Sequence, residues 1–181
     1  MKTLFTVQAG EFLVGSEIEK RIKGANVWVP SKDKGIDLLV TNYNNTKLAS
    51  IQVKFSKDFL ETHMKDFPKG LSACGWWSLR SEKIKGSIAD LWIFVLRSFD
   101  PNKTQYIIIP PKELDQKLSV IHGSSERLQS YLWVTEKGKC WETRGISKND
   151  QLLIPLGRYS NKDREFTAYL NAWKNVEQML K

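Results

Sequence analysis

The segment ADLWIFVLRS, residues 89–98, constrains the fold of this chain more than any other. It is nearly all apolar and lacks the alternation of a strand with one wet face. It therefore reads as a central strand buried on both sides. Around it the periodicity changes from element to element. Residues 10–23 read as a helix, with Val14, Ile18 and Ile22 forming an apolar stripe at a spacing of four. Residues 26–30 read as a short strand ended by Pro30, and residues 36–40 and 48–55 as two further strands. Between those two, TNYNNTK is rich in turn formers, so they form a hairpin. The stretch 56–86 has no clear pattern. Residues 104–109 read as a strand stopped by Pro110 and Pro111, and 111–118 as a short helix. Residues 131–135 and 139–143 flank the turn EKG as a second hairpin, and 162–180 read as a final helix carrying Phe166, Leu170, Trp173, Val176 and Leu180.

This order predicts an α/β (α+β) domain with a mixed sheet. It lacks the regular alternation of a dinucleotide-binding fold and has no glycine-rich phosphate loop, which disfavours nucleotide hydrolysis by that route. At 181 residues the chain fits one domain. Residues 1–118 form the expected core, and 119–181 add a hairpin and helix to the same domain.

Composition narrows the setting. Cys74 and Cys140 are far apart, and only His63 and His122 accompany them, so a structural zinc site is not expected. Two free thiols in a reducing compartment are the simpler reading. No stretch approaches the roughly 18–20 apolar residues that cross a bilayer, and residues 1–11 are too polar for a secretory signal. The expectation is a cytoplasmic protein with no membrane partner. The formal charge of +8 favours polyanionic partners, nucleic acid above all.

The chemistry concentrates on the first hairpin. Asp37 lies on its first strand and Gln52-Val53-Lys54 on its second. Strand side chains alternate, so Gln52 and Lys54 share a face while Ile51, Val53 and Phe55 take the other. With a two-residue turn at Asn44-Asn45, Asp37 falls opposite Gln52 and Gly35 opposite Lys54. One carboxylate, one amide and one ammonium then share a patch, and a one-residue slip of register would separate them. The plain alternative is an ion pair between Asp37 and Lys54 on a solvated face. Glu11 sits on the apolar stripe of the first helix, where a carboxylate is costly unless paired. Its plain alternative is a first-turn glutamate favoured by the helix dipole.

The ordered set AGEFLVGSEI, GIDLLV and IQVKFS resembles the PD-(D/E)XK nucleases. It is especially similar to members with Gln in place of Glu in the E-x-K element, such as Mrr-type restriction endonucleases, and to archaeal Holliday-junction resolvases. The match covers roughly residues 9–56, with weaker support to residue 114. The resemblance implies a restriction-endonuclease-like mixed central sheet flanked by helices. It implies a catalytic set of Glu11, Asp37, Gln52 and Lys54. It also implies Mg²⁺ (or Mn²⁺) held by Asp37, Gln52, the Val53 carbonyl and Glu11. Isoleucine replaces the proline before Asp37, and Gln52 replaces a carboxylate, so the site needs Glu11 for a second negative charge.

The activity so implied is Mg²⁺-dependent endonucleolytic hydrolysis of DNA, with RNA left open. The alternative is a nuclease-like module that binds nucleic acid without cutting. Trp76, Trp77, Arg80 and Lys83 form a candidate nucleic-acid patch, although packing over the sheet is the commoner fate of such tryptophans. Lys57 is a candidate phosphate contact. Asp33 is a weaker metal ligand, and His63 is left out of the site. A homodimer paired through Phe166, Tyr169 and Trp173 is a third option, set against packing of those aromatics on their own core.

Overall fold

The structure, a computed structural model, describes residues 4–32, 34–56, 69–98, 100 and 103–181, with side chains described from residue 9 onward. Strand β5 (Leu91–Arg97) occupies the centre of a five-stranded sheet ordered β1-β2-β3-β5-β6. The other members are β1 (Asn26–Trp28), β2 (Leu38–Thr41), β3 (Leu48–Ser56) and β6 (Thr104–Ile109). Among the described strands of this sheet only the β3–β5 pairing is parallel. A mixed α/β fold is therefore what the chain adopts.

The apolar run of β5 is buried from Leu91 through Leu96, and its two faces belong to different cores. Leu91, Ile93 and Val95 pack with Val14 and Ile18 of helix α1 (Leu4–Arg21) and with Trp173, Val176 and Leu180 at the C-terminal end. Trp92, Phe94 and Leu96 pack on the opposite side against Leu114 and Leu118 of α3 (Pro111–His122) and against a second sheet. That sheet is antiparallel, ordered β4-β7-β8, from β4 (Leu71–Arg80), β7 (Arg127–Thr135) and β8 (Cys140–Glu142). A short helix, α2 (Ser81–Lys85), follows β4 and adds Ile84 to the same core. Full burial of one Val, Leu or Ile side chain is worth roughly 1.5–3 kcal/mol. Leaving either face of β5 bare would forfeit three large side chains, an amount comparable to the whole stability of a domain.

Two features depart from the sequence expectation. The patternless stretch 56–86 contains β4, a ten-residue strand holding Trp76 and Trp77, and α2. Gly75 makes β4 thin at its middle, and the Trp77 ring lies over it so closely that a Cβ there would meet the ring at 2.3 Å.

The expected final helix over 162–180 is replaced by three pieces. Residues 164–166 run beside β8, where Phe166 N–H donates to the Cys140 carbonyl at 2.8 Å. A single 3-10 turn, Thr167–Tyr169, follows, and a shorter helix, α5 (Lys174–Met179), ends the chain. Asn171 stops the helix: its φ is +51°, its N–H donates to the Tyr106 carbonyl, and its side-chain oxygen accepts Tyr106 N–H at 3.1 Å. The apolar stripe is thereby divided, with Phe166 buried on one side of the sheet and Trp173, Val176 and Leu180 on the other. Phe166 and Trp173 are core residues, and the Tyr169 hydroxyl donates to Glu113. For Phe166 and Trp173 the packing on their own core that was set against a pairing surface is what the fold shows.

Helix α4 (Lys148–Leu156) covers the outer side of the second sheet, packing Ile154 with Cys74, Trp133 and Trp141. The second sheet also buries an acid. Glu142 on β8 is fully enclosed. One carboxylate oxygen accepts Tyr131 N–H and Arg144 N–H, both at 3.1 Å, and lies 3.4 Å from His122 Nε2. The other accepts Arg164 Nη1 at 2.8 Å. Desolvation pushes the Glu142 pKa up to about 7 against the pull of these donors, and it pushes that of His122 down, helped by Arg164 and Arg144. A carboxyl group whose folded pKa is raised above its unfolded value binds more protons in the native state. Its contribution to stability is complete below the unfolded value and is lost as pH rises through the folded one. The stability of Glu142→Gln relative to wild type is therefore expected to improve between about pH 4.5 and 7, because glutamine does not titrate. Urea unfolding at a series of pH values checks this, and a relative stability that is flat or falls with pH would refute it.

Candidate active site on the first hairpin

The hairpin register places the candidate residues. Leu38 pairs with Ile51, Leu39 with Ser50 and Val40 with Ala49. This is the register expected from a tight turn, although the turn itself is longer. Asn42 N–H donates to the Lys47 carbonyl, and residues 43–46 form the loop, with Asn45 at φ +58°. One residue is added on each side of the turn, so the pairing parity survives.

Leu38, Val40, Ala49 and Ile51 point into the α1 side of the sheet. Asp37, Gln52 and Lys54 therefore belong to the opposite face, as alternation requires. Asp37 stands just before β2, and its N–H donates to the Ile51 carbonyl at 2.8 Å. Its Oδ2 accepts two donors, Gln52 Nε2 and, at 2.7 Å, Val53 N–H. The carboxylate thus takes the place that the backbone of β2 would hold had the pairing continued. No described residue donates to Oδ1. Gln52 is buried, with its Oε1 toward Gly35, whose φ of +91° lets the chain pass close. Lys54 is half-buried, pairs with Phe94 across the parallel ladder, and holds Nζ 5.0 Å from the centre of the Trp92 ring.

This face changes character at β3. Toward β5 it is dry, under the second sheet and α3. Toward β2 and β1 it opens, with Leu39 half-buried and Trp28 and Leu48 exposed. The β3 residues at the step are Ser50, Gln52, Lys54 and Ser56, all polar. Ser50 carries a second acid that the sequence reading missed. Asp90 Oδ2 accepts Ser50 N–H at 2.8 Å and Ser50 Oγ–H at 2.6 Å. The signal for it was an acid immediately before the buried strand. Its meaning depends on the parallel β3–β5 register, which no local pattern reveals.

Glu11 lies on the other side of the sheet. It lines a cavity of about 320 Å³ with Phe12, Gly15, Ser16, Glu19, Val27, Val29 and Leu38. Val27 and Leu38 are residues of the α1-side core. Among the described residues no group of three or more His, Cys, Asp or Glu side chains is placed to hold a metal.

The candidate nucleic-acid patch divides. Trp77 is buried, with its ring 5.0 Å edge-on from Phe94, so it cannot stack on a base. Trp76 is half-buried on the outer face of β4, opposite Tyr131, and Arg80 is exposed on the same face opposite Arg127. Ser56 Oγ accepts Trp76 N–H at 3.1 Å and donates to the Trp76 carbonyl at 3.0 Å, tying this strand to the end of β3. Lys83 is exposed on α2. Lys57, Asp33 and His63 lie outside the described residues.

Because Asp37 satisfies Val53 N–H, Asp37→Ala leaves a buried donor without its acceptor. A loss of about 1–3 kcal/mol in unfolding free energy is expected, with a smaller loss for Asp37→Asn, which keeps one carbonyl acceptor. Denaturant titration of both variants measures this, and an undiminished Asp37→Ala would show that the bond contributes nothing.

No family model matches the chain, and neither the curated proteins nor the solved structures contain a match to it.

Proposed function

We propose that this chain is a metal-dependent nuclease that hydrolyses DNA phosphodiester bonds at Asp37, Gln52 and Lys54. The observation that carries the reading is the contact between Asp37 and Gln52 across two strands, with Lys54 following on the same face where the sheet passes from dry to open. The chain order helix-Glu, strand-Asp, strand-Gln-x-Lys and the mixed sheet flanked by helices agree with the resemblance to PD-(D/E)XK nucleases.

The donor set fits a hard divalent cation. Asp37 offers Oδ1, and the Val53 carbonyl projects toward the same strand edge as the Val53 N–H that Asp37 accepts. Gln52 contributes an amide oxygen after rotation of its side chain. Mg²⁺ is commonly held by one or two carboxylates, with water and substrate phosphate completing its shell. When bound there, the ion supplies polarisation of the phosphate and acidification of a water. Asp37 anchors and orients. Lys54, already desolvated on one side by Trp92, places its ammonium where charge builds on the phosphate oxygens. The net charge of +8 draws the polyanion in.

A second reading, a module that binds nucleic acid without cutting, is favoured by one observation: among the described residues no group of three or more His, Cys, Asp or Glu side chains gathers at Asp37. Mg²⁺-dependent cleavage of plasmid DNA separates the two. On the nuclease reading, Asp37→Asn and Lys54→Ala each lose about 10²-fold or more in rate while remaining folded. Unchanged cleavage in both would end it, and salt-dependent binding without cleavage would leave the second reading.

A readout independent of activity comes from Gln52→Glu, which sets two carboxylates in contact. Like charges at that distance are unfavourable without a cation between them. The melting temperature is expected to fall in EDTA and to recover with millimolar Mg²⁺ or Mn²⁺, by more than wild type gains. Equal responses of the two proteins would count against a cation at this position.

A further inference from the structure

The open half of the catalytic face carries an exposed tryptophan to which the proposed chemistry assigns no part. Trp28 ends β1, pairs with Leu39, and is 53% exposed. Its neighbour Val27 points into the α1-side core, so Trp28 stands on the face of Asp37 and Gln52. It belongs to none of the three buried clusters.

The ring is nevertheless fixed. Its Nε1–H donates to Thr41 Oγ1 at 3.1 Å, and that hydroxyl donates to Asn45 Oδ1 at 2.6 Å. Asn26 Nδ2 donates to the same Asn45 oxygen at 3.3 Å. An indole whose polar edge is satisfied within the protein presents its apolar faces to a ligand with little ordering left to do.

We propose that Trp28 is a stacking platform for an unpaired base of the substrate, about two to four nucleotides from the bond cut at Asp37. The inference rests on the nuclease reading for the position of that bond. Trp28 pairs with Leu39, two residues from Asp37, and its Nε1 reaches Thr41, four residues from Asp37, so the ring lies about 7–13 Å along the strand direction. A stacked strand advances about 3.4 Å per nucleotide, so that span holds about two to four. The surroundings suit a nucleic acid better than a protein. Lys32 and Lys34 are exposed in the connection from Trp28 to Asp37, and Lys54 lies at the far end. Strands β1, β2 and β3 themselves contain no acid, and the acids described at this face are Asp37, just before β2, and Asp90, whose carboxylate is held by Ser50. A base inside a duplex has no free face for an indole, so the platform selects single-stranded or locally opened substrate.

The test measures binding in EDTA, where cleavage cannot contribute. Anisotropy of a labelled oligonucleotide of about 12 nucleotides is followed in single-stranded and duplex form. Trp28→Ala and Trp28→Leu are expected to lose about 5- to 100-fold in affinity for the single strand, with little change for the duplex, while Trp28→Phe keeps most of it. Quenching of tryptophan emission by the single strand should shrink in Trp28→Phe. Single-strand affinity equal to wild type in the Ala and Leu variants, or no binding by wild type, overturns the platform. So does loss of self-association in those variants with nucleic-acid binding intact, which would make the patch a protein contact. The two readings fail separately. A Trp28 effect on binding in a protein that never cuts refutes the nuclease alone. Efficient cleavage with no Trp28 effect refutes the platform alone.

Discussion

Burial of β5 on both faces is the constraint from which the rest of the architecture follows. A strand that presents Leu91, Ile93 and Val95 to one side and Trp92, Phe94 and Leu96 to the other cannot lie at a surface. One side is closed by elements from opposite ends of the chain, α1 and α5. The other is closed by α3 and by a sheet assembled from two separated segments, β4 before β5 and the β7–β8 hairpin after α3. Neither cover is complete without residues far apart in sequence. Folding therefore has to bring the termini and the middle of the chain together.

The cover over β5 also ends somewhere, and its edge is where chemistry can occur. The second sheet and α3 shield β5 and β6 but leave the same face of β1 and β2 open. At β3, between the two regimes, every inward position from Ser50 to Ser56 on that face is polar. Such groups are costly in a dry core and weak in open water. At a boundary they are held by packing yet remain within reach of a ligand. Lys54 illustrates the balance, with its ammonium over the buried Trp92 ring and its side chain half-exposed.

The sequence showed most clearly what depends on local period. Residues 104–109 are a strand with the bounds expected, and Asp37 meets Gln52 because the turn grew symmetrically. What it could not show depends on partners distant in the chain. β4 has no alternation to recognise, because Cys74, Gly75 and Trp77 are all buried between two cores. The stripe from Phe166 to Leu180 has true helical spacing, yet Asn171 is captured by Tyr106 of β6 and turns the chain through a left-handed residue. Glu11 matched a motif position by order alone, and order does not say which side of a sheet a helix covers.

Two acids with different surroundings separate the scaffold from the proposed site. Glu142 is sealed among Arg164, His122 and two backbone N–H groups that occupy both of its oxygens. Any further ligand would have to displace a partner, and a buried carboxylate stripped of its donors is strongly unfavourable. Asp37 is half-buried, and both of its donors converge on Oδ2. Those two bonds fix the rotamer of the side chain, which directs Oδ1 without consuming it. An acid arranged in this way costs little to recruit, since a cation or a water can add at Oδ1 while the bond from Val53 N–H still orients the carboxylate. That asymmetry, more than the identity of the residue, makes Asp37 the carboxylate at which chemistry is expected.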